Sequence, residues 1–160
     1  MIQTHRLSIA AAAAVLAVPA LTSCGTNFNA PTDQIYTPGV GTNERSGSVD
    51  VLNAVIVSGS EGSGTLVASL VNNDQTQDDA LSEVAGAGED ATIKVTGGTA
   101  DVPAGELVKL AEDGQTSIEG DQVKAGYFVE LSFTFERGEA VTLKAPVVEN
   151  TDEYADIPVP

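Results

Sequence analysis

What this chain lacks narrows its chemistry first. It has one cysteine (Cys24), one histidine (His5), one methionine (Met1) and no tryptophan. Nothing after Cys24 therefore carries a thiol, a thioether or an imidazole. A single cysteine excludes an intrachain disulfide, and a nucleophile that relies on imidazole as its base has no partner there. Basic residues are scarce too: 7 Lys+Arg stand against 23 Asp+Glu, and from Cys24 onward the balance is 6 against 23, a net of −17. Such a surface repels nucleic-acid phosphates and anionic head groups, which excludes a nucleic-acid partner and leaves cations or a basic partner as what it attracts. The acids are scattered among valines and leucines, so low hydrophobicity does not consign the chain to disorder.

Long apolar runs are also absent, with one exception at the N-terminus. Met1–Arg6 is a short polar region carrying the α-amine and Arg6, and Leu7–Leu21 ("LSIAAAAAVLAVPAL") is an apolar run of small residues. It falls short of the roughly 20 residues a helix needs to span a bilayer, and the layout is that of a secretory signal peptide. Leu21, Thr22, Ser23 and Cys24 then match a bacterial lipobox, an apolar residue and two small ones before an obligatory cysteine. The expected chemistry is a diacylglyceryl group on the Cys24 sulfur, cleavage between Ser23 and Cys24, and N-acylation of the new terminus. One acyl chain anchors only marginally at about 0.8 kcal/mol per buried methylene, whereas two or three on one residue hold for good.

The rest divides by composition. Residues 1–23 read as the lipoprotein signal peptide, 24–47 as the lipidated N-terminus and a flexible tether, 48–148 as a β-domain, and 149–160 as an acidic, solvated tail. The tether ("GTNFNAPTDQIYTPGVGTNERSG", Gly25–Gly47) is rich in Gly, Pro, Thr and Asn, with no apolar periodicity. In the domain, Val129, Leu131, Phe133 and Phe135 alternate with Glu130, Ser132, Thr134 and Glu136. After "ERGE" the alternation resumes at Val141, Leu143, Ala145 and Val147, which predicts an antiparallel hairpin. Ser48–Ser58 and Gly64–Asn72 read as two earlier strands. Shorter candidates are Ala80–Ala85, Ala91–Thr96, Glu106–Leu110 and Thr116–Glu119. Seven or eight short strands with Gly/Asp/Asn turns predict an all-β antiparallel sandwich with an aliphatic core in which Phe133 and Phe135 are the large members.

Few motifs carry chemistry. "GAGEDA" (Gly86–Ala91) fits a dinucleotide-binding pattern, but that pattern must open a helix and here it runs into the strand-like "TIKVT". Asp74, Asp78 and Asp79 share one loop and have the hard oxygens a cation such as Ca²⁺ takes, without the central Gly and terminal Glu of an EF-hand. G-x-S-x-G is absent. Acid-based chemistry between paired carboxylates is defined by spacing in space rather than in sequence.

Three stretches carry a resemblance. "ASLVNNDQTQDDALSEVAG" (Ala68–Gly86), "VPAGELVKL" (Val102–Leu110) and "VKAGYFVELSFTFERGEAVTLKAPVV" (Val123–Val148) resemble corresponding passages of the PCu(A)C copper chaperones. With a lipobox ahead, the chain is most similar to the LpqE-type actinobacterial lipoproteins. The resemblance implies a cupredoxin-like or Ig-like sandwich over Val49–Val148. That family holds Cu(I) with His and Met. The resemblance puts its first His after "TIKV", where this chain has Thr96 and Gly97, and its His-x-Met turn near Asp113–Gly120, so no ligand transfers and no copper is expected by this route.

The expectation is thus a lipoprotein on the outer face of the cytoplasmic membrane, within the cell envelope. It has no cofactor beyond the lipid on Cys24, no catalytic residues, and an envelope protein or cell-wall component as partner. The alternatives are a carboxylate-based divalent-cation binder using Asp74, Asp78 and Asp79, and an extracytoplasmic enzyme with acid-based chemistry.

Overall fold

A computed structural model describes residues 39–160 apart from Glu61, Gly114, Gln115 and Glu139. The signal segment, the lipobox and Cys24 lie outside the described residues. The long strands form where the sequence alternates or is continuously apolar. β1 is Thr42–Glu44, β2 Val49–Ser60, β3 Ser63–Asn72, β4 Asp79–Gly86, β5 Lys94–Thr96, β6 Ala100–Val102 and β7 Leu107–Lys109. A helical turn, α1 (Leu110–Asp113), precedes β8 (Thr116–Glu119), β9 (Phe128–Phe135) and β10 (Val141–Glu149).

These strands make one curled sheet in the order β5-β8-β3-β2-β10-β9-β4-β6, with β1 pairing β2 and β7 pairing β3. It folds back on itself through β10, whose Val141–Pro146 pairs antiparallel with β9 and whose Val147–Glu149 pairs with Ile56–Ser58 of β2. The second pairing is parallel, the one departure from the antiparallel order expected. It arises because β10 crosses between the two layers and meets β2 running the same way. The layers enclose an aliphatic core: Ile56, Leu66 and Leu70 from one side meet Leu81, Leu131 and Phe133 from the other, with Phe135 beside them. Burial of each such side chain contributes about 1.5–3 kcal/mol before chain entropy is charged against it. β2 is central and buried on both faces, which is why its residues read as a nearly continuous apolar run rather than an alternation.

The fold extends beyond both ends expected for it. Residues 39–47, read as the end of the tether, supply β1, which pairs Thr42 with Ala54 and Glu44 with Val51. Between those pairs β2 bulges at Asn53, whose φ is 52° and whose N–H donates to Asn43 Oδ1 at 2.7 Å. A Cβ on Gly41 would stand 2.5 Å from the Asn53 backbone, so the glycine is what lets β1 approach. Residues 150–160, read as a solvated tail, fold back instead. Thr65 Oγ1 donates to Pro158 O at 2.6 Å, Asn150 Nδ2 donates to Ile157 O at 2.7 Å, and Val159 lies where a Cβ on Gly59 would be. "GAGEDA" forms a single 3-10 turn, Gly88–Asp90, and leads into β5 without opening a longer helix.

Candidate functional site

The acidic loop between β3 and β4 is organised by Asn72, the last residue of β3 and almost fully buried. Its Nδ2 donates to Gln77 O at 2.9 Å and Val102 O at 3.0 Å, while its Oδ1 accepts from Asp74 N at 3.0 Å. Asp74 then makes a local turn: Oδ1 accepts from Thr76 N at 2.9 Å and from Thr76 Oγ1 at 2.8 Å. Asp78 Oδ1 accepts from Ala104 N, which ties this loop to the β6–β7 connection. Asp79 is buried at the start of β4, and its Oδ1 accepts from Ala80 N and Arg137 N.

Arg137 is the centre that sequence reasoning missed. It sits in the bend between β9 and β10, and its guanidinium donates to Gln77 O (3.2 Å), Asp78 O (3.1 Å) and Gln77 Oε1 (2.7 Å). It also pairs with Asp74 Oδ2 at 3.4 Å. Carbonyl, amide and carboxylate oxygens are the donors a hard cation takes, and here a fixed organic cation already gathers them. The two hydrogen bonds from Thr76 hold the Asp74 carboxyl below its ordinary pKa against an opposing desolvation, and the Arg137 hydrogen bond and charge add the smallest contributions in the same direction as Thr76. Asp79 Oδ2 is buried with no hydrogen-bond partner. The sequence-predicted trio thus shares one loop, but its members serve separate backbone contacts. Among the described residues no three His, Cys, Asp or Glu side chains are grouped as a metal site.

The second place of interest is where the resemblance puts the copper ligands. β5 ends at Thr96, and Gly97 and Gly98 follow with φ of 86° and 84°. A Cβ on Gly98 would lie 3.0 Å from Val84 Cγ2 and 3.3 Å from Thr116 Cγ2, so β4 and β8 close on the glycine from both sides. Thr116 is fully buried and its Oγ1 has no hydrogen-bond partner. The three atoms nearest the Gly98 Cβ position are all hydrocarbon, two from Val84 and the Thr116 methyl.

Solved structures with the same arrangement of strands can now be compared. The copper-bound PCuAC domain from PmoF2 matches with a TM-score of 0.54 at 18% identity, over 68% of this chain and 98% of that one. The apo form of that domain matches at 0.53 and 18%, over 69% of this chain and 98% of that one. The apo PCuAC domain from PmoF1 matches at 0.55 and 16%, over 68% of this chain and 99% of that one. The fold is PCuAC-like. At these identities the likeness is one of fold alone. No protein-family profile matches the chain, and no curated protein matches it.

One of these neighbours is copper-bound, so the residues present here can be set against that ion. Cu(I) takes sulfur and imidazole. Residues 39–160 contain no Cys, Met or His, and the atoms that close on Gly98 are hydrocarbon. The donor set does not fit Cu(I).

A different surface feature stands at the far end of β9. Gly126 N donates to Val147 O at 2.9 Å, Val147 N to Tyr127 O at 2.8 Å, and Tyr127 N to Lys124 O at 3.0 Å. The turn is therefore held by its backbone on both sides. It presents Tyr127 and Phe128 outward, 55% and 61% exposed, beside Val40 at 49%. Phe128 lies on the outward phase of the β9 alternation, in line with Glu130, Ser132 and Thr134. An aromatic in that phase was the available sequence signal.

Proposed function

We propose that this chain is a lipid-anchored, non-enzymatic envelope protein of LpqE type. Its PCuAC-like domain acts as a binding or structural module and has no copper site. The observation that carries the reading is a combination: a PCuAC-like fold on a chain whose only His and Met precede the lipobox cysteine. Processing at Cys24 would discard both residues and occupy the only thiol. The chemistry assigned to the chain is thus confined to Cys24, which takes the lipid, and the rest recognises an envelope protein or cell-wall component.

Three measurements test this. Cys24→Ala in cells should leave the protein unprocessed or released from the membrane fraction, and normal cleavage with full membrane retention would refute lipidation. The processed protein should fail to take Cu(I) from a colorimetric chelator. Stoichiometric transfer of copper would overturn the second half of the reading. Cross-linking in intact cells should then recover one reproducible envelope partner.

A further inference from the structure

The exposed apolar turn lies at the end of the molecule where the chain enters the fold. The registers place it there: Phe128 stands opposite Pro146, and the neighbouring Val147 stands opposite Ile56, toward the Ser60 end of β2. β1 runs antiparallel to β2, with Thr42 opposite Ala54, so Gly39 and Val40 arrive at that same end. Val40, Tyr127, Phe128 and Pro146 line one open cleft there. Among the described residues four large hydrophobics are exposed, and three of them (Val40, Tyr127 and Phe128) belong to this patch, while Leu107 stands toward the opposite end of the sheet.

We infer that Tyr127 and Phe128, with Val40, rest on the bilayer surface as a second, reversible membrane contact beside the Cys24 lipid. This rests on the anchored reading above. Residues 25–38 are all that separate Cys24 from Gly39, and a chain of that length reaches at most about 50 Å even fully extended. A tether that short keeps the domain at millimolar effective concentration beside the lipid, so a contact too weak to bind from solution is occupied when anchored. Aromatic rings with one apolar body suit the head-group boundary, where Tyr in particular keeps its hydroxyl wet. The charge of the fold selects the lipid. Six Lys+Arg against 22 Asp+Glu over residues 39–160 give −16, which opposes anionic head groups and favours a zwitterionic surface. The turn is held by three backbone hydrogen bonds, so the rings are presented without an ordering step on contact.

The absence of tryptophan from the whole chain makes a clean probe possible. The full processed protein carrying Phe128→Trp is reconstituted in phosphatidylcholine vesicles, with and without brominated acyl chains, and Leu107→Trp serves as the control at the opposite end. Thermal melts matching wild type establish that both variants are folded. The expected result is a blue-shifted Phe128→Trp emission quenched by bromine at least about twofold more than that of Leu107→Trp. Protein that floats with the vesicles while the Phe128→Trp probe is unquenched, or is quenched no more than the control, overturns the contact and leaves the anchor standing. A blue shift without bromine quenching that grows with protein density assigns the patch to a second copy and also overturns it. Protein that does not float removes the anchored reading and this contact together.

Discussion

At the Asn72 end of the sandwich the loops are tied to one another through side chains, whereas at the Tyr127–Phe128 turn the backbone does the tying and the side chains are left to solvent. Asn72, Asp74, Asp78, Asp79 and Arg137 each engage loop backbone or one another through their side chains, and Asp79 Oδ2 is buried without a partner. Val40, Tyr127 and Phe128 are each about half exposed or more. The difference separates structure from opportunity. An acidic loop whose oxygens already serve amides and a guanidinium is holding the fold together. An aromatic pair more than half exposed is surface available for a partner.

The comparison breaks most sharply at Asn72. Asn72→Ala removes two donated bonds and one accepted bond; the Val102 carbonyl loses its partner in a buried setting, while the Gln77 carbonyl, which is partly exposed, keeps its bond from Arg137. Stranding a buried polar group costs about 1–3 kcal/mol, so a loss of about 1–3 kcal/mol is expected in urea unfolding. A loss below about 0.5 kcal/mol would show that the loop is not organised from this residue. Next is Arg137→Ala, which frees the oxygens of Gln77, Asp78 and Asp74 at a partly exposed site. A loss of about 1–2 kcal/mol is expected, since exposed ion pairs themselves contribute little and the hydrogen bonds to carbonyls carry the effect. In wild-type protein millimolar Ca²⁺ should leave the Tm unchanged, because the guanidinium holds the oxygens a cation would need. A concentration-dependent rise would instead support the cation-binding alternative.

Much of this was legible locally and the rest was not. The alternation of Val129–Phe135 and Val141–Ala145 reads directly as the β9–β10 hairpin, and the buried phase does contain Phe133 and Phe135. β1 escaped because three residues among Gly, Thr and Asn have no period, and they become a strand only by fitting against the bulge at Asn53. β6 escaped for the same reason, being three residues behind two positive-φ glycines. The returning tail depends on Thr65, which is 93 positions from Pro158. The acidic loop was visible as composition, but its meaning lay in Arg137, 63 positions beyond Asp74. Spacing on the chain shows which carboxylates share a loop, and only the fold shows what already holds them.

The pH dependence sharpens the acidic end further. Asp74 has its folded pKa below the ordinary value, through the Thr76 bonds first and Arg137 after them. Its contribution is therefore fully present above the ordinary carboxylate range and is lost as the pH falls through that range toward the lower folded value. Asp74→Asn keeps an acceptor for Thr76 but does not titrate. The stability gap between wild type and Asp74→Asn should be widest at neutral pH and close on acidification. A gap that is constant with pH in denaturant titrations would mean that the carboxylate charge contributes nothing.

The smallest effect is expected at the other end, and there a null result is informative. Phe128→Ser replaces a ring that is 61% exposed on the outward phase of β9, where the backbone rather than the side chain holds the turn. Truncation creates no cavity in the core and strands no buried polar atom, the two mechanisms behind large losses. Stability should stay within about 0.5–1 kcal/mol of wild type in solution, because most of the residue's surface already faces water in the fold. A loss of about 2 kcal/mol or more would mean that the ring is packed against part of its own chain, and the contrast between a self-satisfied end and an available one would fail. If stability is unchanged while the anchored protein lies differently on its vesicle, the ring is conserving surface for contact outside the fold. The two ends would then differ in role as they do in chemistry.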